Sequence, residues 1–253
     1  MCYDLDARPP LPPISGAAGD AGSVTLVAAD GTSLAAYSAR ADAPGGPGIV
    51  VLPDVRGLHP FFEELALRFA EAGVHATAID YFARTADTPQ RGQGSDRQAH
   101  VAQTRTHTLY ADAAAAAAHL RSPDGGAAER LYSVGFCFGG RLSLLQATTG
   151  LGLAGVIGFY GWPVGPHRTG LPAPADLASE FACPVLSLWG GADQGIGPDA
   201  IEAFSSALAD AGVEHRSVVY PDAPHSFFDR AATEFAAASE DAWRQMLEFM
   251  EIG

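Results

Sequence analysis

The chain has 253 residues, 47% of them hydrophobic and 17% charged, with no low-complexity break, which fits one large α/β domain better than two small ones. Its 29 acidic residues against 15 basic give a formal charge of −14, a balance that repels nucleic acid and anionic lipid and excludes polyanion partners. No apolar run approaches the roughly 20 residues of a membrane helix, the N-terminus lacks the basic start and apolar core of a secretory signal, and three irregularly spaced cysteines do not make a disulfide framework, so a cytoplasmic location is expected.

Residues 1–22, rich in Pro, Gly and Ala, are expected to form an irregular lead-in to a single domain over 23–253. Ser23 to Ala28 and Ser33 to Ser38, separated by the turn signal Asp30-Gly31, predict an antiparallel hairpin. The apolar run Ile49 to Leu52 predicts a buried central strand, followed by a helix from Pro60 to Ala72. Val74 to Ile79 is the next strand, and a polar loop over 81–95 leads to a long Ala-rich helix ending near Leu120. Further strands are expected at Leu131 to Gly135, Ala154 to Tyr160, Val185 to Trp189 and His215 to Tyr220, with helices near 138–149, 198–211 and 233–251. The alternation predicts a doubly wound, mostly parallel sheet of eight strands with helices on both faces and a ligand site beyond the carboxyl ends of the parallel strands.

The candidate chemistry falls at those ends. In Leu131-Tyr-Ser-Val-Gly-Phe-Cys-Phe-Gly-Gly140 a cysteine stands where a short strand turns abruptly into a helix, with Gly135 and Gly139 bracketing it in the spacing of a nucleophile elbow. A lone cysteine is ordinarily a buried small hydrophobe, and that reading is kept for Cys183 and Cys2; the glycine brackets and the segments downstream favour Cys137 as a nucleophile. Val185-Leu-Ser-Leu-Trp-Gly-Gly-Ala-Asp193 delivers a carboxylate at a strand end, although turn chemistry alone also accounts for Asp193. Val218-Val-Tyr-Pro-Asp-Ala-Pro-His225 then places a histidine on a loop leaving the next strand, completing the order nucleophile, acid, base. His225 would manage the thiol proton and Asp193 would orient its imidazole. Backbone N–H groups of Val55 and Phe138 are the expected oxyanion donors. Asp54, in Leu52-Pro-Asp-Val-Arg-Gly57, either influences thiol protonation and substrate placement or is only a turn residue. Neither a metal-ligand spacing nor a phosphate-binding loop is present, so no metal or cofactor is expected.

Gly135-Phe-Cys-Phe-Gly-Gly140, Asp80-Tyr-Phe-Ala-Arg84, Gly190-Gly-Ala-Asp193 and His225-Ser-Phe-Phe-Asp-Arg230 together resemble the dienelactone hydrolase family of the α/β-hydrolase fold. The resemblance implies a Cys137, Asp193, His225 triad and a substrate carboxylate bound by Arg84 and Arg230, a task that suits the planar fork of arginine. For both arginines a surface salt bridge is the alternative, an equal one for Arg230 because the segment is one residue longer than the family spacing. Tyr160 resembles a family position lining the site, where packing is the other reading. The family carries a glutamate, linked to activation of the cysteine, where this chain has Asp54, which marks a divergent member. The expected activity is hydrolysis of a small ester or enol-lactone through an acyl-cysteine. Acyl transfer, thioester cleavage or cyclisation in secondary metabolism is the enzymatic alternative, and a silent small-molecule binding protein the non-enzymatic one. Substrate identity and oligomeric state have no readable signal.

Overall fold

The computed structural model describes residues 8–10, 18–85, 97–167, 169–229 and 231–252. Eight strands form one sheet: β1 (Ala18–Val27), β2 (Ser33–Ala41), β3 (Pro47–Leu52), β4 (His75–Ile79), β5 (Arg130–Phe136), β6 (Gly155–Phe159), β7 (Val185–Gly190) and β8 (His215–Tyr220). Among the described residues six α-helices accompany them: α1 (Pro60–Glu71), α2 (Arg97–Gln103), α3 (Thr106–Arg121), α4 (Phe138–Leu145), α5 (Pro198–Asp210) and α6 (Ala236–Phe249). The spatial order is β1-β2-β4-β3-β5-β6-β7-β8, and only β2 runs against the rest.

Burial explains the strand composition. From β3 to β7 every strand residue except Pro47 and Arg130 is buried, because helices cover both faces, and no strand among them alternates buried and exposed positions in the way of a half-solvated one. The edge strands β1 and β8 are mostly exposed or half-buried and carry the alternation of a half-solvated surface. The expected lead-in over 1–22 is corrected at its end: residues 18–22 are strand, since Ala18 to Gly22 find backbone partners in Ser38 to Ala41 of β2 across a register shift at Ala18/Asp20. Backbone pairing overrides the weak propensity of the Ala-Gly sequence there. The polar loop expected over 81–95 begins as a 3₁₀ turn at Tyr81–Arg84, and its remainder past Thr85 lies outside the described residues.

The topology places the site. The chain goes from β3 to β4 on one side and returns to β5 on the other, so the turns leaving β3 and β5 diverge from neighbouring strand ends, with Leu52 opposite Gly135. Among the described residues no helix is long and apolar enough to cross a membrane.

Candidate active site

At the end of β5, Cys137 takes φ 56° and ψ −113°, a left-handed conformation that a side chain adopts only under constraint. Its N–H is held by the Phe159 carbonyl at 3.0 Å, and α4 starts at the next residue. The flanking glycines are a steric necessity. A Cβ on Gly135 would lie 1.9 Å from the Gly139 oxygen, and one on Gly139 would lie 2.1 Å from the Leu52 oxygen. The first turn of α4 is therefore pressed onto β5 and β3, which leaves Cys137 at the crest between them.

The turn leaving β7 is laced to the loop leaving β8, with Gly191 N–H on Tyr220 O at 2.8 Å and Ala192 N–H on Ala223 O at 3.0 Å. That lacing brings Asp193 to His225: Nδ1 and Oδ2 are 2.7 Å apart, while Oδ1 accepts the Gly195 N–H at 2.8 Å. With Asp193 accepting at Nδ1, the imidazole carries its proton there and Nε2 is the basic nitrogen. Nε2 is buried and has no hydrogen-bond partner among the described residues. Tyr160, itself at φ 37°, and Trp162 pack against the imidazole with ring centroids at 4.9 and 5.0 Å, and Trp162 is anchored by Nε1–H to Gly195 O at 3.1 Å.

Burial pushes the Cys137 thiol well above its ordinary pKa, and the negative charges of Asp54, Asp229 and Asp193 act in the same direction; the Phe138 N–H, directed at the sulfur, opposes them. No hydrogen bond joins the thiol to Nε2 in this structure. Besides Phe138, the second expected oxyanion donor, Val55, lies in the turn after β3. The Tyr81 hydroxyl donates to the Asp54 carbonyl at 2.8 Å and also approaches the Pro53 carbonyl, and Gly57 N–H reaches the Asp54 carbonyl at 3.0 Å. Tyr81 is thus the member of the Asp80-Tyr-Phe-Ala-Arg84 segment that serves the site.

Arg84, expected to bind a substrate carboxylate, is engaged by groups of its own chain in this structure. Nε and Nη2 grip Asp112 of α3 at 3.1 and 2.6 Å, and Nη1 grips Asp30 and Thr32 of the β1–β2 turn at 2.7 and 2.8 Å. Its Nη2 also reaches Asp30 at 3.3 Å, so both edges of the guanidinium are occupied. Neither of the two carboxylates that hold it adjoins it in sequence. Arg230 lies outside the described residues.

Sequence reasoning also passed over Arg56 and Asp229. Asp54 is completely buried, with its carboxylate bound by Arg56 through Nε at 2.9 Å, Nη2 at 2.8 Å and the backbone N–H at 2.8 Å. Asp229, also buried, meets Arg56 Nη2 at 3.4 Å, and His59 Nε2 lies 3.9 Å from Asp54. The sequence held a signal, Asp54 and Arg56 in one turn and Asp229 in the His225 loop, but nothing local tied the two segments together. Among the described residues no group of three or more His, Cys, Asp and Glu side chains is arranged to hold a metal ion.

A doubly wound sheet with a nucleophile elbow after β5, a carboxylate after β7 and a histidine after β8 defines an α/β hydrolase. Residues 34–252 match the sequence profile of the dienelactone hydrolase family, and the chain belongs to that family. It is 33% identical over 236 residues to a Salmonella typhimurium protein named "Putative carboxymethylenebutenolidase", covering 89% of this chain and 85% of that one. A carboxymethylenebutenolidase of Rhodococcus opacus is 28% identical over 261 residues, with 99% and 96% covered. The crystal structure described as a "Putative Dienelactone Hydrolase" from Klebsiella pneumoniae superposes with a TM-score of 0.81 at 30% identity, over 92% of this chain and 98% of that one.

Proposed function

We propose that this dienelactone hydrolase-like protein opens a small ester or lactone through an acyl-cysteine formed on Cys137. The observation that carries the reading is the Asp193–His225 hydrogen bond of 2.7 Å, which leaves Nε2 as an unengaged base in the site of an elbow cysteine held at positive φ. The carboxymethylenebutenolidase names of the relatives support a lactone as substrate.

In the resting form the thiol is protonated, because burial and three carboxylates disfavour the thiolate. Substrate entry brings sulfur and Nε2 together; the imidazole takes the thiol proton as sulfur bonds to the carbonyl carbon. The carbonyl electron pair moves to oxygen, where the Val55 and Phe138 N–H groups receive the oxyanion. Collapse expels the alkoxide or enolate, which takes the proton from the imidazolium and, in a lactone, stays tethered to the acyl group. Water then attacks the thioester, His225 removing its proton and returning it to the departing sulfur. Asp193 holds the tautomer and stabilises the imidazolium throughout. Each step uses only side chains, backbone N–H groups and water.

Hydrolysis of p-nitrophenyl esters, thioesters and enol-lactones by wild type and Cys137→Ala tests this. A fall in kcat of at least about ten-thousand-fold is expected, with a burst of acylated Cys137 in wild type seen by mass spectrometry. Full activity of Cys137→Ala on every substrate accepted by wild type would refute it.

A further inference from the structure

Arg56 links two loops that flank the proposed nucleophile, and it does so from a buried position. Arg56 and its partners Asp54 and Asp229 have side-chain exposures of 2%, 0% and 0%. Two buried carboxylates require a cation, so this trio is either intact or very costly. Its connectivity is what matters. The Arg56 N–H closes the turn onto Asp54 Oδ1 at 2.8 Å, and the residue between them is Val55, whose amide is the proposed oxyanion donor. The guanidinium then spans 173 positions of sequence to Asp229, four residues after His225. The intervening chain is stiff: Ser226 stands at φ 62°, Phe227 and Phe228 are fully buried, and Phe228 stacks against Phe136 with centroids 5.7 Å apart.

We propose that Arg56 is a positioning residue, clasping the oxyanion turn to the histidine loop so that one guanidinium sets both the donor at Val55 and the base at His225. The proposal rests on the acyl-cysteine reading for its catalytic consequence, though not for the coupling itself. Asp54 binds Arg56 through two side-chain nitrogens at 2.9 and 2.8 Å and Asp229 meets the same guanidinium at 3.4 Å, so a shift of either loop reaches the other through Arg56. The charged and titratable groups around the thiol are Asp54, Asp229 and Asp193, with Arg56, His59 and His225 in contact with those carboxylates. Removing the cation takes a positive charge from between two acids near the sulfur, whereas neutralising Asp229 takes away a negative one.

The test compares wild type with Arg56→Ala, Arg56→Lys and Asp229→Asn, by steady-state hydrolysis of a p-nitrophenyl ester and by the pH dependence of Cys137 alkylation with iodoacetamide, mapped by mass spectrometry. Arg56→Ala should lower kcat on the order of 100-fold, the cost of a misplaced reacting group, with a much smaller change in KM and partial recovery in millimolar guanidinium. Its alkylation profile should move to higher pH by about one unit and that of Asp229→Asn to lower pH. Arg56→Lys, which keeps the charge without the fork, should retain the wild-type alkylation profile and recover only part of kcat. Should Arg56→Ala not fold, Arg56→Lys and Asp229→Asn decide by the same readouts. Wild-type kcat in the Arg56 variants, or profiles that do not move in opposite directions on losing the cation and losing the anion, overturns the proposal. Alkylation is read without turnover, so an active Cys137→Ala enzyme would refute the acyl-cysteine separately.

Discussion

At the scale of the residue, the site is a set of side chains held away from their easiest states. Cys137 sits at φ 56° with its thiol pushed up by burial and by neighbouring acids, a combination that favours the protonated thiol over the thiolate. Cys183 shows what burial does without a site: its thiol is pushed up to about 11 by desolvation alone. The sign for stability follows directly. Both thiols stay protonated in the folded chain above the unfolded value of about 8.5, where the unfolded chain has released its protons, so stability falls as pH rises through that value toward the folded one. Urea midpoints between pH 7 and 10 should therefore decline, and Cys183→Val should flatten the decline; an unchanged slope in that variant would show that Cys183 does not contribute. Cys137, Asp193 and His225 were legible as candidates because each stands at a strand end in the order that a triad requires. Tyr81, Trp162 and Arg56 were not, since a tyrosine, a tryptophan and an arginine acquire their parts only from what they touch.

Among the secondary-structure elements, close approach and ion pairing fix how the site is assembled. The first turn of α4 reaches β5 and β3 because Gly135 and Gly139 carry no Cβ. Arg141 in the same helix donates to the carbonyls of Trp162, Gly165, Leu171 and Pro172 at 2.8 to 3.0 Å, tying the segment after β6 over the elbow. Burial lowers its pKa to about 10, in a position where only neutral carbonyls receive its N–H groups. Arg84 does the equivalent for the β1–β2 turn and α3: burial raises the Asp112 carboxyl while Arg84 holds it down, and the same arginine pulls Asp30 well below the usual carboxylate range. Arg84→Ala leaves Asp112, completely buried, without its cation, and should cost about 3 kcal/mol in chemical denaturation. The same variant should keep the wild-type ratio of activity toward carboxylate-bearing and neutral esters. A selective loss toward the carboxylate-bearing esters would restore a substrate role for Arg84.

For the molecule as a whole, the sheet order converts sequence distance into adjacency. The turns after β3, β5, β7 and β8 all open at one end of the parallel sheet, so residues from 54 to 229 meet there although they span most of the chain. The excess of acids acts on the entire fold. A formal charge of −14 on 253 residues favours expansion by self-repulsion, so raising NaCl from about 20 to about 200 mM should raise the urea midpoint as screening increases. A midpoint that falls with salt would mean that local ion pairs such as Arg84–Asp112 outweigh the global repulsion.

The amino-acid sequence by itself determined the alternation of strands and helices, the elbow around Cys137 and the order of cysteine, aspartate and histidine, because each is a short-range pattern set by periodicity, glycine sterics and strand ends. It could not determine where an arginine sends its charge. Arg84 was expected to meet a substrate and instead grips Asp30 and Asp112, while Arg56, two residues from Asp54 and 173 from Asp229, joins two loops beside the thiol. Which carboxylate a long cationic side chain meets depends on packing in three dimensions and on the cost of burying an acid alone, and only the tertiary structure decides that.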